Sequence, residues 1–254
     1  MMRAIGYAGL GLVVYAAFVV WTYPAERALS AGRDFMPDTY FQNVSGTLWH
    51  GRAGRVRIAD QTFERVSWDI RLLSALFGRL DVAVNFDGAG RSGEGIVSLG
   101  MSGDVRLKNV KARLPVADVD QYFGLDPVTL SGVFDVDLRR ASFEGNMLSS
   151  AEGVVLWQNA RVVSPMAQEL GGFILALSPD DNGVAGQIKD DGGNVQLDGV
   201  VHLSPAGDYT ITGTIAARGD NRSPLARTIS ALGRPGPDGR IGLEYAGNLY
   251  EGSF

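Results

Sequence analysis

The sequence predicts an all-β protein, mainly antiparallel, carrying a few short helices and one N-terminal transmembrane helix. Three observations carry this. An uncharged apolar run fills residues 4–23, many later segments place apolar residues at every second position, and turn-forming clusters separate those segments.

The run "AIGYAGLGLVVYAAFVVWTY" has roughly the twenty residues that a helix needs to cross a bilayer. Arg3 precedes it and the mixed set Glu26, Arg27, Arg33 and Asp34 follows, a slight bias toward a cytoplasmic N-terminus. Trp21 and Tyr23 fall where an aromatic belt meets the far interface. The alternative is a cleaved signal peptide, whose apolar region is shorter, about 7–15 residues. The small-residue site "ALSA" at residues 28–31 also lies far beyond the run, so an uncleaved anchor is the reading adopted.

After the anchor the period is two. Val66, Trp68 and Ile70 alternate with Ser67 and Asp69; Leu80, Val82, Val84 and Phe86 with Asp81, Ala83 and Asn85; Phe134, Val136 and Leu138 with Asp135 and Asp137. Turns follow from "FDGAGRSGEG", "FEGNMLSS", "SPDDNG", "KDDGGN", "SPAGDY" and "RPGPDG". Four short helical stretches are expected. "WDIRLLSALFG" sets Leu72, Leu73, Leu76 and Phe77 on one face and stops at Gly78, and "LPVADVDQYFG" runs from Pro115 to Gly124. "SPMAQELGG" and "SPLARTISALG" each open with a capping serine and a proline, and stop at Gly171 and Gly233. So few helices cannot cover the apolar face of ten or so strands. The sheet must pack on a second sheet or curl so that its apolar face lines its own concavity.

Composition narrows the function. An apolar fraction of 45% allows a buried core, while a net charge of −5 without a basic run argues against nucleic acid. Zero cysteines exclude disulfides, thiolate zinc sites and cysteine nucleophiles. Residues 88–93 fit G-x-G-x-x-G, but a strand-like segment follows where a dinucleotide site needs a helix, which makes the motif a hairpin loop. His50, in "VSGTLWHG", and His202 have no ligand or nucleophile partner at useful spacing, and read as strand-end imidazoles. No G-x-S-x-G or S-x-x-K is present. The acid pairs Asp118/Asp120, Asp135/Asp137, Asp180/Asp181 and Asp190/Asp191 lack the twelve-position ligand spread of a calcium loop and mark turns or a wet strand face. No catalytic residue, cofactor or metal is expected.

Two segments echo each other: "SGTLWHGRAGRV" near residue 45 and "AEGVVLWQNARV" near residue 152. Read as duplication, they imply similar halves, residues 41–145 and 146–250. The anchor then occupies residues 1–24, a linker residues 25–40 and a β-rich domain residues 41–254.

The anchor, "VSGTLWHGRAGRV", "VSWDIRLLSALFGRLDVAV", "GVVLWQNARV", "QELGG" and "DDGGNVQLDGVVHLSPAGDYTITGTI" together resemble protein N of the bacterial type II secretion system, over most of the chain. A looser resemblance extends to AsmA-like proteins. The first resemblance implies a non-enzymatic, single-pass inner-membrane protein whose periplasmic β-domain works with other secretion subunits. The second implies curled sheets that hold lipid. Gly46, Trp49, Trp68, Gly153 and Trp157 match the recurrent family pattern, which carries no catalytic residue, and their implied role is structural.

Overall fold

A computed structural model of the chain describes residues 22–31, 38–58, 61–118, 128–145, 147–164, 166–219, 223–231 and 233–248. They include thirteen strands. The chain divides into two compact units, Met1–Ala89 and Gly90–Phe254. The all-β, antiparallel, helix-poor expectation holds, with more strands than the ten or so read from the turn clusters. The expected transmembrane helix lies, but for residues 22–24, outside the described residues. Among those described, no helix is long and apolar enough to cross a membrane.

In the first unit a short helix α1 (Ala25–Ala31) falls in the segment expected to be a linker. It precedes β1 (Thr39–Gly46), β2 (His50–Ile58), β3 (Gln61–Arg71) and β4 (Arg79–Gly88). Each strand pairs antiparallel with the next. The register puts Phe41, Val56 and Phe63 in one row, then Val44, Ala53 and Val66, then Gly51, Trp68 and Val84. That is the apolar face. The opposite face carries Gln42, Arg55 and Glu64 in one row, and His50 beside Asp69 in another.

Apolar spacing along these strands is not two throughout. Phe41 to Val44, Ala53 to Val56 and Phe63 to Val66 are steps of three, and the skipped positions Asn43, Gly54 and Arg65 lie side by side. Asn43 and Arg65 take left-handed φ of 55° and 45° there. At this level each of three adjacent strands skips one residue of the ladder without a change of register, so the apolar side chains on either side of the skipped positions stay on one face.

The second unit contains β5 (Arg91–Gly100), β6 (Val105–Pro115), β7 (Thr129–Glu144), β8 (Met147–Ser164) and β9 (Gln168–Asp180). It continues with β10 (Gly183–Asp190), β11 (Val195–Leu203), β12 (Asp208–Ala217), helix α2 (Pro224–Ser230) and β13 (Ile241–Asn248). All eight successive pairings are antiparallel. A similar interruption recurs at Gly95, Asn109 and Arg139, which the registers of β5, β6 and β7 skip, with a register shift between β5 and β6 only. Leu225 and Ile229 of α2 pack with Ala160, Phe173, Val195 and Ile241 at one end of the apolar face. Ala141, Ala151 and Val184 form a second cluster.

Three expected helices resolve differently. Residues 72–77 form a 3-10 turn ended by Gly78 in the left-handed region at φ 71°, and Leu73 and Phe77 face outward. In the second expected helix Pro115 instead ends β6 and Val116–Asp118 form a 3-10 turn, while residues 119–124 lie outside the described residues. "SPMAQELGG" is not a helix. Its serine ends β8, and Gln168 and Glu169 begin β9 opposite Val162 and Arg161. Cross-strand pairing there outweighs a local capping signal worth about 1 kcal/mol. The fourth, α2, starts as read, with Ser223 Oγ accepting the Ala226 N–H at 3.1 Å and Pro224 following it, but it ends at Ser230 and not at Gly233.

Candidate interaction surface

The sequence-named positions cluster around two indoles. Trp68 on β3 is half-buried and donates its Nε1–H to the Leu48 carbonyl at 2.9 Å. Its ring lies on Gly51, where an added Cβ would stand 2.1 Å from Cζ2. Gly46 turns β1 toward β2 at φ 88°, and the Thr47 N–H donates to the His50 carbonyl at 3.0 Å. Trp49 is half-buried beside this turn and offers its carbonyl to the Ile70 N–H at 2.7 Å.

Trp157 on β8 repeats the Trp68 device within the second unit. Its Nε1–H donates to the Ser131 carbonyl at 3.2 Å, and its ring stands between Phe134 and Phe173 at centroid distances of 5.7 and 5.6 Å. A Cβ on Gly132 would come within 2.7 Å of that indole nitrogen. Gly153 lies opposite Leu138, and a Cβ there would meet the Asp137 carbonyl at 2.3 Å. The sequence echo aligned Trp49 with Trp157, yet the indole that makes the equivalent contact in the first unit is Trp68.

The polar candidates are distributed as strand-face pairs. His50 Nε2 lies 3.2 Å from Asp69 Oδ2, and His202 Nδ1 lies 3.4 Å from Asp180 Oδ2, both half-exposed. Sequence spacing hid these partners, because only strand register brings them together. Residues 88–93 end β4 and begin β5, with Ala89 and Gly90 at φ 54° and 77°, the pair that a type I′ turn requires. Asp118 forms a two-oxygen ion pair with Arg91, and Asp135 faces Arg113 at 3.6 Å. Asp191 accepts the Gly172 N–H, while Asp120 lies outside the described residues. Among the described residues no three His, Asp or Glu side chains gather where a metal ion could sit.

Asp190 is held from three sides. It accepts the Leu197 and Gly192 amides at 3.0 Å each and the Arg218 guanidinium at 2.6 Å. Burial opposes its ionisation, yet these three donors together hold the carboxyl below its ordinary range. Arg218 also donates to the Gly193 carbonyl at 2.7 Å, tying the β10–β11 turn to the end of β12. A polar cleft of about 440 Å³ nearby is lined by Asn159, Arg161, Glu169 and Asp191, and the Arg161–Glu169 ion pair occupies one wall.

What the units leave open is backbone and apolar surface. Among the described residues β1 pairs only with β2 and β13 only with β12. Each is thus an edge strand among the described residues, and such an edge can offer main-chain N–H and C=O groups; Tyr40 on β1 and Tyr245 on β13 are 51% and 52% exposed. Fourteen apolar side chains are buried among the described residues and six of them are alanines, which is little for a packed core. Between the two clusters of the second unit, Val136, Val155, Leu175, Ile188, Val201 and Ile211 share the inner face and stay half-buried. This geometry can accept a partner strand at an edge or an apolar body along the face.

A family model described as "Type II secretion system (T2SS), protein N" matches residues 40–244. The chain is similar to the type II secretion system protein N of Vibrio cholerae serotype O1, 27% identical over 98% of this chain and 100% of that one. It is also similar to the protein of that name from Aeromonas hydrophila, 25% identical over 98% and 100% of the two chains. The one from Pectobacterium carotovorum subsp. carotovorum is 24% identical over 95% and 96%. No solved structure matches the chain.

Proposed function

The chain belongs to the type II secretion system protein N family, and on that premise we propose a non-catalytic inner-membrane component of the secretion apparatus. Residues 1–24 anchor it with a cytoplasmic N-terminus, and residues 41–254 extend into the periplasm. The single observation that carries this reading is the family match, which spans nearly the whole β-rich region. Physical chemistry supplies the mode of action. The open edges of β1 and β13 offer main-chain hydrogen bonds to strands of other subunits, with Tyr40 and Tyr245 flanking them. Gly46, Trp49, Trp68, Gly153 and Trp157 set the local bends and packing that hold those edges in place. The test is isolation of the apparatus from native membranes, where this chain co-purifies with inner-membrane or periplasmic subunits. Its complete absence, together with normal export in a deletion strain, would refute the proposal.

A second reading rests on the half-buried inner face of the second unit, which suits an acyl chain. Burying apolar surface contributes about 25 cal/mol per Å², so filling such a face is favourable. Native mass spectrometry of the purified chain tests it. Bound phospholipid at defined stoichiometry supports lipid binding, and lipid-free protein refutes it.

A further inference from the structure

We infer that the Leu72–Phe77 turn of the first unit rests in the lipid–water interface of the membrane that residues 4–23 are proposed to cross. This rests on that anchor reading. The residues bonded to the end of the apolar run fix the place. The Tyr23 carbonyl accepts the Leu48 N–H at 2.9 Å, and Pro24 bridges to Thr47. A chain leaving a bilayer at Tyr23 therefore emerges against the β1–β2 turn. One strand further, the Trp49 carbonyl accepts the Ile70 N–H at 2.7 Å, so β3 ends at this same end of the unit and the turn follows at once. With strands about 4.8 Å apart, Ile70 lies roughly 10 Å from the exit point.

The turn is built for such a position. Its backbone is tied internally: the Gly78 N–H donates to the carbonyls of Ala75 and Ser74, and the Ser74 hydroxyl donates to the Arg71 carbonyl. Ser74 Oγ also accepts the Asp81 N–H at 3.0 Å. Backbone groups satisfied within the turn lower the cost of leaving water. Leu73 and Phe77 are each 77% exposed on this fixed frame. Exposed Arg71 and Arg79 flank them, placed to reach lipid phosphates while the two apolar side chains enter the acyl boundary. The apolar run ending there and the cationic flanks point to a bilayer as occupant.

The chain has no cysteine, so a full-length Leu73→Cys variant can carry one environment-sensitive dye. It is reconstituted in phosphatidylethanolamine–phosphatidylglycerol vesicles with and without a doxyl-labelled acyl chain. Ile58→Cys, an exposed apolar position at the opposite end of β2, gives the water reference, and Val14→Cys reports the anchor. A blue-shifted Leu73 emission that loses intensity with doxyl lipid, while Ile58 does not respond, supports the inference. A water-like Leu73 signal with a quenched Val14 overturns it and leaves the anchor standing. Water-like signals at both positions overturn the anchor reading and the inference together. A blue shift at Leu73 without quenching means that protein covers the turn, and overturns the inference. Circular dichroism of the labelled chains confirms that each variant retains its β-structure.

Discussion

Replacing Gly51 by alanine perturbs the first unit at one atom. The new Cβ would sit 2.1 and 2.4 Å from Cζ2 and Cε2 of Trp68, far inside contact distance. The indole cannot swing away freely, because its Nε1–H is bonded to the Leu48 carbonyl at 2.9 Å and Trp68 lies between Gly51 and Val84 in the sheet. Overpacking of this kind costs about 1–3 kcal/mol. Losing the indole hydrogen bond adds about 1 kcal/mol. Together these give about 2–4 kcal/mol for Gly51→Ala. Urea unfolding of the full chain in detergent, followed by far-ultraviolet circular dichroism, should show a midpoint lowered by on the order of 1 M. A Trp68→Phe background separates clash from propensity, since the smaller ring leaves room for the methyl. There the same substitution should cost under about 1 kcal/mol, giving a coupling that a double-mutant cycle detects. A cost below about 0.5 kcal/mol in the native background, or equal costs in both, would refute the argument.

Three further outcomes follow from the second unit. Trp157→Ala should cost about 3 kcal/mol, because the half-buried ring bridges Phe134 and Phe173; Trp157→Phe keeps that stacking and should cost about 1 kcal/mol for the lost bond to Ser131. By thermal unfolding the alanine variant should melt about 6–12 °C lower. Ser223→Ala removes the cap on the Ala226 N–H and should cost about 1 kcal/mol, read by urea unfolding. Asp190 carries a pH signature. Its folded pKa is depressed, so its contribution is fully present above the unfolded value of about 3.9 and is lost as pH falls through the folded value. The stability difference between wild type and Asp190→Asn should therefore be flat from about pH 6 to 8 and shrink below about pH 4. A difference that grows on acidification would contradict the donor set assigned to Asp190.

The strand content was legible because Val66, Trp68 and Ile70, or Phe134, Val136 and Leu138, alternate cleanly with polar residues. The skipped residues were not. Phe41 and Val44 are three apart, which breaks a period of two, and only the register shows that Ala53–Val56 and Phe63–Val66 break it at the same level. Ser223-Pro224 capped a real helix because Leu225 and Ile229 found a cluster to join. The same dipeptide signal at residues 164–165 failed where Gln168 and Glu169 had strand partners. The histidine–aspartate pairs were invisible for a related reason: Asp69 and Asp180 are distant in sequence from His50 and His202, and cross-strand register alone makes them neighbours. Trp68 was singled out by the family pattern, but its match to Trp157 lay in what each indole touches.

Export measured in a deletion strain tests the central claim most directly. The strain is complemented with the native chain, with an empty vector, or with a chain in which His50→Gln and His202→Gln remove both imidazoles. The account predicts that the empty-vector strain retains exported protein in the periplasm, and that the native and histidine-free chains restore it to the medium equally. Normal export with the empty vector, or a folded histidine-free chain that fails to restore it, would contradict a non-catalytic β-scaffold in secretion.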